Sequence, residues 1–344
     1  MRYAIFVICA GFAAASLPSS RALSQDAETR TVQSIVQSSL GLLQMSGRTF
    51  TEKSRDHCTS CHHQAVPALT FSLARTRGFQ IDEAIAQEQF RMVFDQWTSI
   101  RERLLQIDTG PPPLVSEVIS VGYALLSMAA AGQKPNSTTD ALAHYIAARQ
   151  YPNGQFRSLQ VRPPLDYSSV TATALAVRAM QLYMPAGRKD EAREKIGRAR
   201  AWLLSVKSDA TEEKTFQLQG LAWARAERKD IARYAAALLA DQRPDGGWAQ
   251  LPGLESDAYA TGQALVALHQ AAGLATTSAV YRRGLQFLLR THVPDGSWHV
   301  KTRAGLIPVQ PYFETGFPYG KDQFISAAGT AWATSALILS LKPN

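Results

Sequence analysis

The chain has 344 residues, of which 46% are hydrophobic and 19% charged, with a formal net charge of +8 and three cysteines. This composition excludes an intrinsically disordered or low-complexity chain and predicts one globular unit with a substantial core. Its basic residues are interspersed with acidic ones along predicted helices, as over 188–200, which indicates solvated helix faces and predicts no nucleic-acid partner.

The N-terminus has the pattern of a secretory signal peptide. Met1 and Arg2 precede an apolar run over 3–15, and small residues lead to Ser24. The run is shorter than the roughly 20 residues that a membrane span needs, so it predicts cleavage and no stable membrane span. We expect a periplasmic or secreted protein, with a signal peptide over 1–24 and a single domain over 25–344.

The next motif is CTSCH at 58–62, the spacing with which exported bacterial proteins attach a c-type haem. Two thiolates separated by two residues reach one porphyrin edge, and the imidazole that follows ligates the iron. The motif predicts a covalent haem c bound by Cys58, Cys61 and His62, with His62 as the iron ligand and a periplasmic redox protein as partner. Two alternatives are a Cys58–Cys61 disulfide and a zinc ion bound by both cysteines, His62 and His63.

The remainder of the chain predicts an all-α protein. Apolar residues recur at three- and four-residue spacing, and alternating strand-like runs are nearly absent. Turn residues separate twelve predicted helices, at 28–46, 65–78, 82–106, 114–131, 136–150, 168–184, 189–206, 213–226, 229–242, 256–272, 278–291 and 324–341. Because short turns join consecutive helices, the pattern predicts six helical hairpins.

A turn motif recurs in the second half, as QYPNGQF at 150–156, QRPDGGW at 242–248 and HVPDGSW at 292–298. Each copy ends a helix with a Pro, followed by Asn or Asp and then by Gly. The aromatic residue that comes next can fold back on that helix. These motifs resemble the QW motif of the squalene-hopene cyclase and prenyltransferase repeat family, over roughly 136–341. The resemblance implies an α/α toroid, in which two rings of helices surround an apolar central cavity, and an apolar or isoprenoid-like ligand.

The reactions of that family need residues that this chain lacks. Class II cyclases protonate an alkene with a DxDD motif, and the prenyltransferases hold zinc through Asp, Cys and His; neither DxDD nor a late cysteine occurs here. The nearest residues are Asp166 and Asp257, each just before the second helix of a repeat. They are the candidate catalytic residues, with a helix N-cap as the structural alternative.

In a ring of hairpins, every loop from an outer to an inner helix opens at the same end. Four segments are therefore expected to meet at one cavity mouth: 58–64, 166–169, 255–259 and 312–323. The last segment, 312–323, is rich in aromatic residues and predicts a lid or a plug.

Three functions are consistent with this arrangement. The main prediction is an exported haem c protein, acting in electron transfer or in oxidation of an apolar substrate at the cavity mouth. The second is a haem-free, terpene-cyclase-like protein that binds a lipid or isoprenoid, with Cys58 and Cys61 as a disulfide. The third is a toroidal carbohydrate-active enzyme that uses Asp166 and Asp257 as paired carboxylates.

Overall fold

The computed structural model describes residues 20–54, 57–108, 117–158, 162–305 and 312–342. The first 19 residues of the predicted signal peptide lie outside these ranges. None of the helices within them has a stretch that is both long and apolar enough to cross a membrane.

Thirteen α-helices make up most of the described residues. They are α1 (Ser20–Lys53), α2 (Val66–Arg75), α3 (Glu83–Ser99), α4 (Arg101–Leu105), α5 (Glu117–Ala130), α6 (Ser137–Ala148), α7 (Ser169–Tyr183), α8 (Lys189–Ser205), α9 (Thr211–Trp223), α10 (Arg228–Ala240), α11 (Ala258–Ala272), α12 (Ala279–Thr291) and α13 (Gln323–Ser340). Every predicted helix is present, but the one predicted over 82–106 is divided into α3 and α4 at Ile100. There, the hydroxyls of Thr98 and Ser99 donate to backbone carbonyls of the preceding turn, which favours a helix end.

The helices form two concentric rings. Six inner helices pack side by side in the order α2, α5, α7, α9, α11 and α13, and α13 closes the ring against α2. The helix that precedes each inner helix, with α3 and α4 acting together, lies outside it. The predicted all-α fold, an α/α toroid of six hairpins, is therefore confirmed. Because each inner helix follows an outer one, all six run in the same direction, and their N-termini meet at one end, here called the mouth.

Small residues allow the inner helices to approach closely. A Cβ atom on Gly262 of α11 would lie 2.5 Å from the backbone carbon of Trp332 on α13. A Cβ atom on Gly220 of α9 would lie 2.8 Å from the Cβ of Ala174 on α7. Real Cβ atoms do not occur at such distances, so a larger residue at either glycine would force the ring apart.

The repeated turn motifs fasten the outer helices. The indole N–H groups of Trp248 and Trp298 donate to the carbonyls of Leu238 and Leu288, at 2.8 and 2.9 Å, on the helices that the two motifs end. Both tryptophans are buried. This confirms that the aromatic residue folds back on its own helix, and it gives these tryptophans a structural role.

A two-stranded antiparallel ribbon precedes α11. Its strands are β1 (Trp248–Ala249) and β2 (Ser256–Asp257), and Trp248 pairs with Asp257. The ribbon fixes Asp257 at the start of α11, at the mouth.

Candidate functional site

The CTSCH segment lies between α1 and α2. A π-helical turn over Cys61–Ala65 follows it, in which Ser60 Oγ accepts a hydrogen bond from the His63 N–H at 3.1 Å. Gln64 Oε1 in turn accepts the Ser60 N–H at 2.7 Å. Because the turn continues directly into the inner helix α2, it places Cys61 and His62 at the mouth.

Cys58 and Cys61 are not joined to each other, so the disulfide of the second predicted function is not seen. Burial raises the pKa of the Cys61 thiol, and the nearby Asp166 raises it further. Among the residues that the structure describes, no group of three or more His, Cys, Asp or Glu side chains is placed to hold a metal ion. The zinc alternative therefore gains no support.

The two histidines of the segment pack among aromatic rings. His62 stacks on Phe324 of α13, with ring centroids 4.9 Å apart, and His63 stacks on Phe50 of α1 at 4.9 Å. Their Nδ1 atoms lie 2.5 Å apart. Burial lowers the pKa of both imidazoles, that of His63 to about 3, so both are neutral at pH 7.

The last loop covers this histidine pair. Thr315 Oγ1 lies 3.3 Å from His63 Nε2, and the ring of Phe313 lies 5.2 Å from that of Phe50. Gln323 Oε1 accepts the Thr315 N–H at 2.8 Å, which ties the loop to α13. The described part of the predicted lid or plug therefore packs against the CTSCH segment.

Asp166 belongs to a tight turn at the mouth. Arg162 and Asp166 exchange two backbone hydrogen bonds, at 3.0 and 3.1 Å, and their side chains form an ion pair. Asp166 is buried, and its charge and that of Arg162 both act on Cys61. The N-cap of α7 is Ser168 rather than Asp166. The structure thus brings Asp166 next to the CTSCH segment, as a carboxylate with a fixed cationic partner.

Asp257 is the N-cap of α11, where its Oδ1 accepts the Ala260 N–H at 2.9 Å. Its Oδ2 accepts a hydrogen bond from Gln250 at 2.9 Å, and Gln250 Oε1 accepts one from Arg303 Nε at 2.7 Å. Burial raises the pKa of Asp257 to about 6. The N-cap alternative is confirmed for this residue, which also contributes to the polar surroundings of the mouth.

A third carboxyl group, Glu212, was missed by sequence reasoning. It lies in the first turn of α9, with only 2% of its surface exposed, and accepts hydrogen bonds from Thr171 Oγ1 at 3.2 Å and from the Tyr259 hydroxyl. Burial raises the pKa of Glu212 to about 8, so the carboxyl is mostly protonated at pH 7. Its only signal in the sequence is its place at the start of a predicted inner helix. The Glu-Glu-Lys run there gives no sign of burial, because such a run is typical of an exposed first turn.

Tyr123 of α5 completes the cluster from a helix that lies two positions from α9 in the ring. Its ring meets that of Phe216 on α9 edge to face, with centroids 6.3 Å apart, although α7 separates these two helices. The two side chains therefore meet inside the ring. Burial raises the pKa of Tyr123, and the charges of Glu212 and Asp166 raise it further.

The mouth thus holds carboxyl groups in different protonation states. Glu212 carries a proton near pH 7, whereas Asp166 is an ion paired with Arg162. An acid whose pKa lies near 8 is suited to donate a hydrogen bond or a proton to an oxygen atom at neutral pH. It is too weak to protonate an isolated carbon–carbon double bond, which agrees with the missing DxDD motif.

Solved structures with the same architecture include terpene cyclases and a glycosidase. The type II terpene cyclase MstE from Scytonema, solved with merosterolic acid A, superposes with a TM-score of 0.59 at 16% identity, over 91% of this chain and 98% of that one. A glycosidase solved with glucose gives 0.56 at 13% identity, over 89% of this chain and 98% of that one. The ent-copalyl diphosphate synthase from Streptomyces platensis gives 0.51 at 17% identity, over 81% of this chain and 50% of that one.

Neither a protein-family model nor a curated protein matches the sequence. At such low identities, the structural likeness establishes the α/α toroid and leaves the activity to be argued from the site itself.

Proposed function

We propose that this toroid binds an apolar, isoprenoid-like chain within its ring and does so without haem. The observation that carries the proposal is the contact of Tyr123 and Phe216 inside the ring, because it places aromatic side chains from two non-adjacent inner helices together. Aromatic and small apolar side chains are the usual lining of ligand cavities. The related ring of MstE has been solved with geranylgeranyl dihydroxybenzoate, which supports an isoprenoid occupant here.

The test is a titration with geranylgeraniol and with its fully saturated counterpart, followed by calorimetry. We expect saturable one-to-one binding of both alcohols, because burial of the chain supplies the free energy and needs no double bond. Phe216→Ala should weaken binding by about 10- to 150-fold, since a buried aromatic contact contributes roughly 1.5–3 kcal/mol.

Phe94→Ala is the matched control, because Phe94 lies on the outer helix α3 and packs against Phe90. It should leave the affinity unchanged. Failure of both alcohols to bind, or an equal loss of affinity in the two variants, would contradict the proposal.

We propose haem c attachment as the second candidate, on the strength of the His62 donor atoms. Nδ1 of His62 lies 3.2 Å from Ser60 Oγ and 2.5 Å from His63 Nδ1, whereas Nε2 has no hydrogen-bond partner among the described residues. An imidazole oriented through Nδ1 ligates a metal through Nε2, so the donor set fits a haem iron. Cys58 and Cys61 would form the thioether bonds, and the bound haem would supply electron transfer or substrate oxidation.

This candidate needs export to a periplasmic compartment, in agreement with the signal peptide predicted over 1–24. Intact mass and the visible spectrum of protein exported from a strain with haem c maturation machinery test it directly. Attachment should add about 600 Da and give a c-type α-band. Both should be lost when Cys58 and Cys61 are replaced by Ala, and a colourless wild type of unmodified mass would remove the candidate.

A further inference from the structure

Three hydrogen-bond donors at the mouth are buried without a partner among the described residues. They are the hydroxyl of Tyr123, Nη2 of Arg303 and Nε of Arg162. A buried donor that lacks an acceptor costs about 1–3 kcal/mol, so native proteins rarely leave one unmatched without a ligand, ion or water to accept it. Three such donors in one region are suited to bind the acceptor atoms of a ligand.

Hydrogen bonds and ring contacts connect the three donors to the mouth carboxyl groups. Arg303 Nε donates to Gln250, which donates to Asp257, and the ring of Tyr123 contacts that of Phe216, one turn after Glu212 on α9. Arg162, through its pair with Asp166, faces Cys61. These side chains come from α5 and from the loops that precede α7 and α13, so the ring closure itself brings them together.

Of the two arginines, Arg303 is the one whose guanidinium group has N–H donors left to bind a ligand. Its Nε donates to Gln250, but no carboxylate within the described ranges forms an ion pair with its guanidinium group. Arg162, by contrast, is neutralised by Asp166. A guanidinium edge presents planar, paired N–H donors that match the lone pairs of a carbonyl or carboxylate oxygen.

We propose that the mouth is a head-group site, in which Arg303 and Tyr123 bind the carbonyl or carboxylate oxygen of an amphipathic isoprenoid whose chain extends into the ring. The inference rests on the proposed function and adds the chemical class of the ligand. It also gives the Tyr123 hydroxyl an acceptor.

The test compares four ligands with one C20 isoprenoid chain: the carboxylic acid, its methyl ester, the alcohol and the hydrocarbon. The acid and the ester should bind at least about tenfold more tightly than the hydrocarbon. Arg303→Gln should weaken binding of the acid and the ester by about 10- to 100-fold, the range expected for loss of hydrogen bonds from a charged group, and should leave the hydrocarbon within twofold.

Two further variants keep the result interpretable. Tyr123→Phe removes only the unmatched hydroxyl, so it should fold at least as stably as the wild type and still lose affinity for the acid and the ester. Arg290→Gln is the matched control, because Arg290 is an exposed residue of the outer helix α12 that donates to the carbonyl of Asp245 and is not part of the buried cluster. It should change no affinity in the series.

The outcomes separate this inference from the proposed function. Equal binding of acid and hydrocarbon, or a uniform loss across the series in Arg303→Gln and Tyr123→Phe, overturns the head-group site and leaves chain binding intact. Binding of none of the four ligands overturns both. If the site holds, a preference for the acid over the ester identifies a carboxylate, and equal affinities identify a neutral carbonyl.

Discussion

The stability of the wild-type protein relative to Glu212→Gln should fall steeply as the pH rises from about 4.5 to 8. His62 and His63, whose pKa values are lowered by burial, act in the opposite direction in both proteins and cancel in this difference. The pKa of Glu212 is raised from its ordinary value of 4.5 to about 8 by burial in the folded state. Between these values the unfolded chain releases the Glu212 proton while the folded chain retains it, so rising pH favours unfolding. The stabilisation is fully present below pH 4.5 and is lost by pH 8, a change of about 5 kcal/mol.

Chemical denaturation at half-unit pH intervals measures this effect as the difference in unfolding free energy between wild type and Glu212→Gln. Glutamine keeps the shape and one of the two acceptor oxygens that face Thr171 and Tyr259, and it cannot ionise in this range. Glu213→Gln, on the same turn and partly exposed, leaves Glu212 in place and should retain the wild-type pH dependence. Parallel curves for wild type and Glu212→Gln would show that Glu212 is not a buried, protonated acid.

Arg162→Met should destabilise the protein by about 3 kcal/mol or more at pH 7. It leaves Asp166 as a buried carboxylate without its cation, and breaking one side of such a pair is more costly than losing both partners. The double replacement Arg162→Met with Asp166→Leu should recover most of the lost stability. Thermal and urea unfolding of Arg162→Met, Asp166→Leu and the double variant measures the coupling between the two side chains.

Arg75→Met is the control for this cycle. Its ion pair with Glu83 has the same chemistry but lies at the surface, where the Glu83 side chain is 57% exposed, so its loss should cost less than about 1 kcal/mol. Equal costs for Arg75→Met and Arg162→Met would contradict the buried pair. The cycle is also needed to judge Asp166 as a candidate catalytic residue. Asp166→Asn leaves Arg162 without its ion-pair partner, so a loss of function in that variant alone does not show a catalytic role.

Much of the fold was readable from the sequence, because helical periodicity and turn residues are local signals. The six hairpins and the fold-back of Trp248 and Trp298 follow from such signals, and the family resemblance supplied the closed ring. The break at Ile100 was not predicted, because it depends on hydroxyl groups that compete for carbonyls within an apolar pattern. The β1–β2 ribbon was also missed, since its strands are two residues long.

The candidate site was only partly predictable. The position of Cys61, His62, Asp166 and Asp257 at one end follows from topology, because every inner helix starts there. The burial of Glu212 does not follow from its neighbours in sequence, since it depends on Thr171 and Tyr259 from the helices on either side of α9. Whether Cys58 and Cys61 carry haem remains a prediction, which the mass measurement decides.

The common direction of the six inner helices has an electrostatic consequence at the mouth. Each helix carries a dipole with roughly half a positive charge at its N-terminus, and in this ring all six positive ends point to the same opening. The mouth is therefore electropositive through its backbone, in addition to any charge on its side chains. Such a field favours an acceptor oxygen entering the opening head first, and it attracts electron-rich groups to the end of the ring where Glu212 and Arg303 lie.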